Sequence, residues 1–312
     1  MWSSVVVDKV GGNLVLLNLT GGNMHQRAVI NQLLAWIEQN LEQTLTLDEI
    51  ATKAGYSKWH LQRMFKRQTG HVLGTYVRRR RLTAAARELR LTGTSVAIIA
   101  DKYQFDSQQT FTRGFRQQFG LPPAAYRRSA EWPGYGMQPP LRLCAPPLPA
   151  ADFVELPAMR LVGRTQRRTL TLDELSRRKK ELRQRAWSAL RCPLSGPPAV
   201  AYGLTRLDVD SSQQDRQCMA YTVALDDEQT TGDVVQIEPG EYASFVYQGQ
   251  ADEFQNFIAR VYDSVMPALN VVRRPGSDIE RFYPAQGGFY HQDGAAIHCE
   301  YLIPIRRLPT PR

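Results

Sequence analysis

What this 312-residue chain lacks narrows its function first. Its four cysteines, Cys144, Cys192, Cys218 and Cys299, are scattered with no close pair. That excludes a CxxC redox motif and a structural zinc site, and it fits a reducing cytosol. No apolar run approaches the ~20 residues that a membrane-crossing helix needs. The segments VVV and LVLL in residues 1–23 lack a basic start and are short, so neither secretion nor a membrane span is expected. The chain has no glycine-rich phosphate loop, no Ser-His-Asp signature and no metal-ligand spacing, so no catalytic residue, cofactor or metal is expected. The pair His298 and Cys299 is weak evidence for a metal, because neighbours in a strand point to opposite faces.

What is present is charge of one sign in one half. Residues 24–130 carry 17 Lys or Arg against 7 Asp or Glu, a balance of +10, whereas 131–312 carry 21 against 22. The first part suits a polyanion and the second does not. A hydrophobic content of 43% can supply a core for each of two domains. Residues 1–23 read as an N-terminal extension, either an upstream start with Met24 as the natural first residue or a short hairpin around Gly11, Gly12 and Asn13.

The basic part is organised around residues 95–120. Ile98, Ile99, Ala100 and Tyr103 give a short helix one apolar side, 104–106 interrupt it, and Phe111 and Phe115 restart an apolar face. Opposite that face stand Gln108, Gln109, Thr112, Arg113 and Arg116, long enough to reach base edges and phosphates. The same unit occurs earlier: Ser57, Leu61, Arg63, Phe65 and Gly70 correspond to Ser107, Phe111, Arg113, Phe115 and Gly120, each 50 residues further on. Thr46 followed by Glu49 forms a capping box for the support helix of this first unit, which ends near Gly55. Ile30, Leu33, Leu34, Ile37 and Leu41 mark a preceding helix. Tyr76, Val77, Leu82, Ala85, Ala86 and Leu89 mark a long connecting one, with Arg78–Arg81 at its start. One or two of these four arginines are expected on phosphate and the rest in internal ion pairs or against another protein.

The stretch 131–151, with Pro139, Pro140, Pro146, Pro147 and Pro149, reads as a semi-stiff connector; Trp132, Tyr135 and Leu141 suggest that part of it lies against a domain. Residues 152–307 then repeat a strand, helix, strand, strand order, and 308–312 form a tail. The expected fold is an all-α double helix-turn-helix domain followed by an α+β domain of two βαββ halves sharing an antiparallel sheet, one concave face of which is a pocket.

The segments GYSKWHLQRMFK, DSQQTFTRGF, PPLRL, ERFYPA and EYLIPI resemble the AraC/XylS family of transcription activators, and within it the right origin-binding branch with a gyrase-inhibitor-like effector domain. The resemblance implies a monomer on double-stranded DNA that recruits RNA polymerase at stress, efflux or antibiotic-resistance promoters. It implies base contacts from Trp59, Gln62 and Arg63 in the first unit and from Gln108, Gln109, Thr112 and Arg113 in the second. Lys66, Arg116, Arg127 and Arg128 would touch phosphate. It further implies a pocket for an apolar, cationic or amphipathic effector, with Glu300 as its carboxylate and Tyr202, Tyr247, Phe282 and Tyr283 as walls. A Glu300 already satisfied by protein donors is the alternative. The other functional readings are an origin-binding or nucleoid architectural protein, and an enzyme acting on electrophilic or ester compounds through the second domain.

Overall fold

Seven helices build the basic half. The computed structural model describes residues 22–143, 147–189, 200–209, 216–225, 232–283 and 296–308. The expectations at 11–13, Cys144, Cys192 and 309–312 lie outside the described residues. Helix α1 is Gly22–Gln39, starting two residues before Met24; α2 is Leu47–Ala54, α3 Lys58–Thr69, α4 Leu73–Leu91, α5 Val96–Lys102, α6 Gln108–Phe119 and α7 Pro123–Arg128. The ends form where local chemistry sets them. Thr46 and Glu49 make the reciprocal capping box of α2, Ser57 caps α3, and Ser107 caps α6. Gly70 and Gly120 close the two reader helices in the left-handed conformation that a side chain resists. In the support-to-reader turns that conformation falls to Gly55 in the first unit and to Gln104, with φ 59°, in the second.

Each unit has its own core. Leu61, Met64 and Phe65 of α3 pack with Ile30, Leu34, Ile37 and Ile50, while Phe111, Phe115, Phe119 and Tyr126 pack with Leu89, Ile99 and Tyr103. Contrary to the helical pattern of 98–103, Ile98 is exposed: the inward side of α5 is carried by Ile99, Ala100 and Tyr103. Helix α4, 19 residues and about 28 Å long at 1.5 Å per residue, contributes side chains to both cores and fixes the units to each other. Its arginine run divides. Arg80 is buried and donates to the Glu38 carboxylate at 2.6 and 2.8 Å, and Arg81 donates to the carbonyls of Leu41 and Gln43; Arg78 and Arg79 face solvent.

The connector is not a free tether. The Leu141 amide donates to the Tyr76 hydroxyl and the Gln138 amide to the Thr83 hydroxyl. Leu141 and Leu143 pack on the first core, and Trp132 and Met137 on the second. Gly136 sits at φ 80°, and an added Cβ would lie 2.4 Å from the Gln118 carbonyl oxygen. Gly136→Ala should therefore lift the connector off α6, read as faster amide exchange at Gln138 and Leu141 with the α6 amides unchanged.

The second half is a curled antiparallel sheet with helices on one side. Strand β1, Trp132–Pro133, belongs to the connector; β2 is Asp152–Leu156 and β3 Met159–Thr171; α8 is Leu172–Ala189; β4 is Ala201–Val209, β5 Arg216–Leu225, β6 Asp233–Ile237 and β7 Gly240–Gln250. Helix α9, Phe254–Arg260, continues through a wider turn at 261–265; β8 is Val271–Arg273, β9 Asp278–Tyr283 and β10 Ala296–Arg307. The two βαββ halves are β3-α8-β4-β5 and β7-α9-β9-β10, joined where β4 pairs with β9. The sequence pattern did not include β2 and β6, which exchange partners between the halves: β2 pairs with β7, and β6 with β3.

Leu175, Leu182, Ala186 and Trp187 of α8 and Phe254, Phe257 and Ile258 of α9 cover one face of the sheet. Leu190, which continues the helical apolar spacing of Leu175 and Leu182, lies outside the described residues. On the other face Leu156 and Ile237 from the two outer strands meet Tyr202, Leu204, Ile279 and Leu302 from the middle, so the sheet curls around that side. Trp132 and Pro133 pair with Arg273 and Val272, which adds the connector to the sheet. Arg87 of α4 pairs with Asp263, and Arg306 donates to Glu131 at 2.7 Å.

Candidate nucleic-acid interface and effector site

The reader faces are exposed as a pair. On α3, Trp59, Gln62, Arg63 and Lys66 all lie outside, and Trp59 is 67% exposed, so it is not packed away against the connecting helix. The Arg63 guanidinium lies 5.4 Å from the Trp59 ring centroid, which holds both over the same surface. His60 stacks on Tyr56 at 5.0 Å and supports the helix from the side. On α6, Gln108, Gln109, Thr112, Arg113 and Arg116 line one open surface with Gln117. Gln62 and Arg113, one from each unit, also line a single cleft with Arg78 and Arg81. Sequence reasoning placed the four-arginine run only loosely; the structure puts Arg78 between the readers, its guanidinium against Gly114 of α6.

The two arginines after α6 part ways. Arg128 is exposed, but Arg127 is turned inward: it donates to the carbonyl of Leu89 at 3.1 Å and to that of Thr94, and burial lowers its pKa. Arg127, expected on phosphate, thus ties α7 to α4 through these two carbonyls. Arg128→Ala should reduce the slope of log binding constant against log salt by about 0.9. Arg127→Ala should leave that slope unchanged and lower the melting temperature instead.

The five residues expected in the effector pocket fall on two faces of the sheet. In register, Glu300 lies beside Arg281 and Val246, Arg281 beside Tyr202, and Tyr283 beside His298, so Glu300, Tyr202 and Tyr283 share the curled side. Tyr247 and Phe282 pair with Cys299 and point the other way, into the core under the helices. The pleat separates them from Glu300, because successive side chains of a strand alternate faces. Glu300 accepts from the hydroxyl of Ser244 at 2.7 Å, from Nη1 of Arg281 at 2.9 Å and from the hydroxyl of Tyr283 at 3.0 Å. Three protein groups thus already donate to this carboxylate.

A different carboxylate is enclosed by aromatic rings. Glu280 of β9 is wholly buried, and its Oε1 accepts from Nε of Arg183 at 2.9 Å and from Nη2, while its Oε2 accepts from the Tyr221 hydroxyl at 2.7 Å. Arg183 lies 5.6 Å from the Tyr221 ring centroid and 5.7 Å from that of Phe254. The Trp187 indole donates to the Tyr221 hydroxyl at 3.1 Å, and its ring meets Phe282 edge-on at 5.0 Å. Gly203 makes room, since a Cβ there would stand 2.7 Å from the Glu280 carboxylate. Lys179, one turn before Arg183, is pushed down to about 8 by burial and by the Arg183 charge. Burial also raises the Cys299 thiol, which makes it a packing residue. Among the described residues no group of His, Cys, Asp and Glu is arranged to hold a metal ion, and no helix is long and apolar enough to cross a membrane.

Two helix-turn-helix units on a shared helix, followed by a curled sheet with helices on one face, define a DNA-binding regulator with an attached binding domain. Residues 50–129 match a helix-turn-helix domain family and residues 150–306 match the GyrI-like small molecule binding domain. The chain is 45% identical over 289 residues to the Right origin-binding protein of Escherichia coli K12, covering 91% of this chain and all of that one. It has the same identity and coverage with the Transcriptional regulator Rob of Salmonella typhimurium. Over 98 residues it is 49% identical to the Multiple antibiotic resistance protein MarA of Salmonella typhimurium, covering 31% of this chain and 77% of that one. The chain belongs to the AraC/XylS family of transcription regulators, in the branch that joins the double helix-turn-helix to a GyrI-like domain. It is a sequence-specific DNA-binding regulator, and both of its domains are of binding rather than catalytic type.

Proposed function

We propose that one copy of this protein reads an asymmetric operator by placing α3 and α6 in successive major grooves, and that it activates stress, efflux or antibiotic-resistance genes by recruiting RNA polymerase. The observation that carries this reading is the duplicated exposed face: Trp59, Gln62 and Arg63 on one helix and Gln108, Gln109, Thr112 and Arg113 on the other, both anchored to α4. Readers entering successive grooves on one side of the duplex are about 34 Å apart, so a single chain spans two half-sites without a dimer. The guanidinium groups suit guanine O6 and N7, and the glutamines suit adenine. Lys66, Arg116 and Arg128, exposed around these faces, would contact phosphate. The names of two relatives, concerned with transcription and antibiotic resistance, support the assignment to regulated promoters. The GyrI-like domain would supply control by a small molecule.

The test combines footprinting on a selected operator with transcription by purified RNA polymerase. A 1:1 complex, protection over two adjacent grooves and a rise in transcript support activation. Protection with no change in transcript favours the second reading, an origin-binding or architectural role, which the printed name of another relative suggests. Protection that requires two copies per site overturns the monomeric reading.

A further inference from the structure

We propose that the aromatic enclosure around Glu280 is a cation-binding site filled by the chain's own Arg183, and that α8 thereby closes the effector domain to organic cations of the guanidinium and amidinium class. This deepens the sensing role proposed above and rests on it only for biological meaning; the occupancy itself can fail or hold independently of DNA reading.

The geometry is that of a ligand site with its ligand tethered. A buried carboxylate holds a planar cation through two N–H groups on one oxygen, and a tyrosine hydroxyl takes the other. Tyr221 and Phe254 lie within cation-π range of the guanidinium. Gln255, the second residue of α9, accepts from Nη1, so the three donor nitrogens of Arg183 all find partners on β9 or α9. The side chain enters from α8, which packs with α9 on the covered face of the sheet. Arg183 is 2% exposed and Glu280 0%, which leaves no solvent path for a second cation while Arg183 is in place.

An arginine in this position is costly as packing alone. A buried ion pair gains little over apolar side chains of the same volume, and α8 otherwise presents Leu175, Leu182 and Ala186 to the core. Its chemical content is therefore specificity. The enclosure selects a flat cation, and the tethered guanidinium occupies it at an effective concentration that a free ligand of equal contacts cannot match. Lys180, also on α8, pairs with Asp252 at the start of the α9 region, so the two helices are held together next to the occupied site.

The experiment uses the full-length protein as wild type, Arg183→Ala, Arg183→Lys and the double variant Arg183→Ala with Glu280→Gln. The probe is methylguanidinium chloride, matched in ionic strength with sodium chloride, and the readouts are calorimetric binding and melting temperature. Methylguanidinium is expected to bind Arg183→Ala at least tenfold more tightly than wild type and to raise the melting temperature of that variant alone. The double variant, lacking the carboxylate charge, should lose this gain. Equal binding by wild type and Arg183→Ala, or a gain that persists in the double variant, overturns the proposal. If Arg183→Ala does not fold, Arg183→Lys decides: it keeps a cation beside Glu280 and should fold with methylguanidinium affinity no higher than wild type. Failure of Arg183→Lys to fold, or tight methylguanidinium binding by it, overturns the proposal as well.

Discussion

Arg63→Ala and Arg113→Ala should each weaken operator binding by about 5- to 150-fold, the equivalent of losing one bidentate base contact worth ~1–3 kcal/mol. The two losses should map to different halves of the site. Arg63 projects from α3 with Trp59 against it, and Arg113 projects from α6 among Gln109, Thr112 and Arg116. Each variant should therefore relax base preference in its own half and leave the other half unchanged, as measured by binding selection from a randomised operator. Combined, the two losses should be nearly additive, because the side chains read separate grooves. Equal affinity and unchanged preference for both variants would sink the two-reader account.

Removal of the Glu280 carboxylate should be the most damaging single change in the second domain. Glu280→Ala leaves the Arg183 guanidinium buried without its counter-charge, a loss of ~3–5 kcal/mol, and removes the acceptor for the Tyr221 hydroxyl. At about 2–4 °C per kcal/mol for a domain of this size, the melting temperature should fall by roughly 6–20 °C. Glu300→Ala should cost less, because Glu300 and Arg281 keep 14% and 19% of their side-chain surface and water can replace part of the lost pairing. Thermal melts of the two variants side by side check the order. A Glu300→Ala protein less stable than Glu280→Ala would contradict the assignment of Glu280 as the buried pair.

The helical half was legible because its signals are local. Ser57 with Gly70 and Ser107 with Gly120 fix two helices of equal length, and Thr46 with Glu49 fixes a third, all through contacts within a few residues. The polar faces follow from the same periodicity. Ile98 was misplaced because α5 has only seven residues, too few for a helical stripe to exclude one flanking position. The inward ties of Arg127 were not legible for another reason: its partners are backbone carbonyls of Leu89 and Thr94, and carbonyls leave no mark in a side-chain pattern.

In the sheet, the order of the two βαββ halves was legible, and the face on which each expected pocket residue falls was not. Whether Glu280 or Glu300 meets the aromatic rings depends on strand register, and a shift of one residue exchanges the two faces. One signal was available. Leu175, Lys179, Leu182, Arg183 and Ala186 lie on one stripe of α8, so two cations occupy a stripe that is otherwise apolar, which calls for a buried acid opposite. The exchange of β2 and β6 between the halves carried no such signal, since both are short outer strands whose partners lie far along the chain.

The strand formed by Trp132 and Pro133 has a consequence for control. Because the connector is hydrogen-bonded into the effector sheet through β8 and clamped along α4 by Tyr76 and Thr83, the two domains share one segment of ordered chain. Information therefore has a mechanical route in both directions, and binding equilibria that use it are reciprocal. A small molecule that changes operator affinity through this seam must have its own affinity changed by operator DNA, by the same factor. Titrating the ligand into free protein and into the DNA complex would measure the strength of that linkage from the effector side alone.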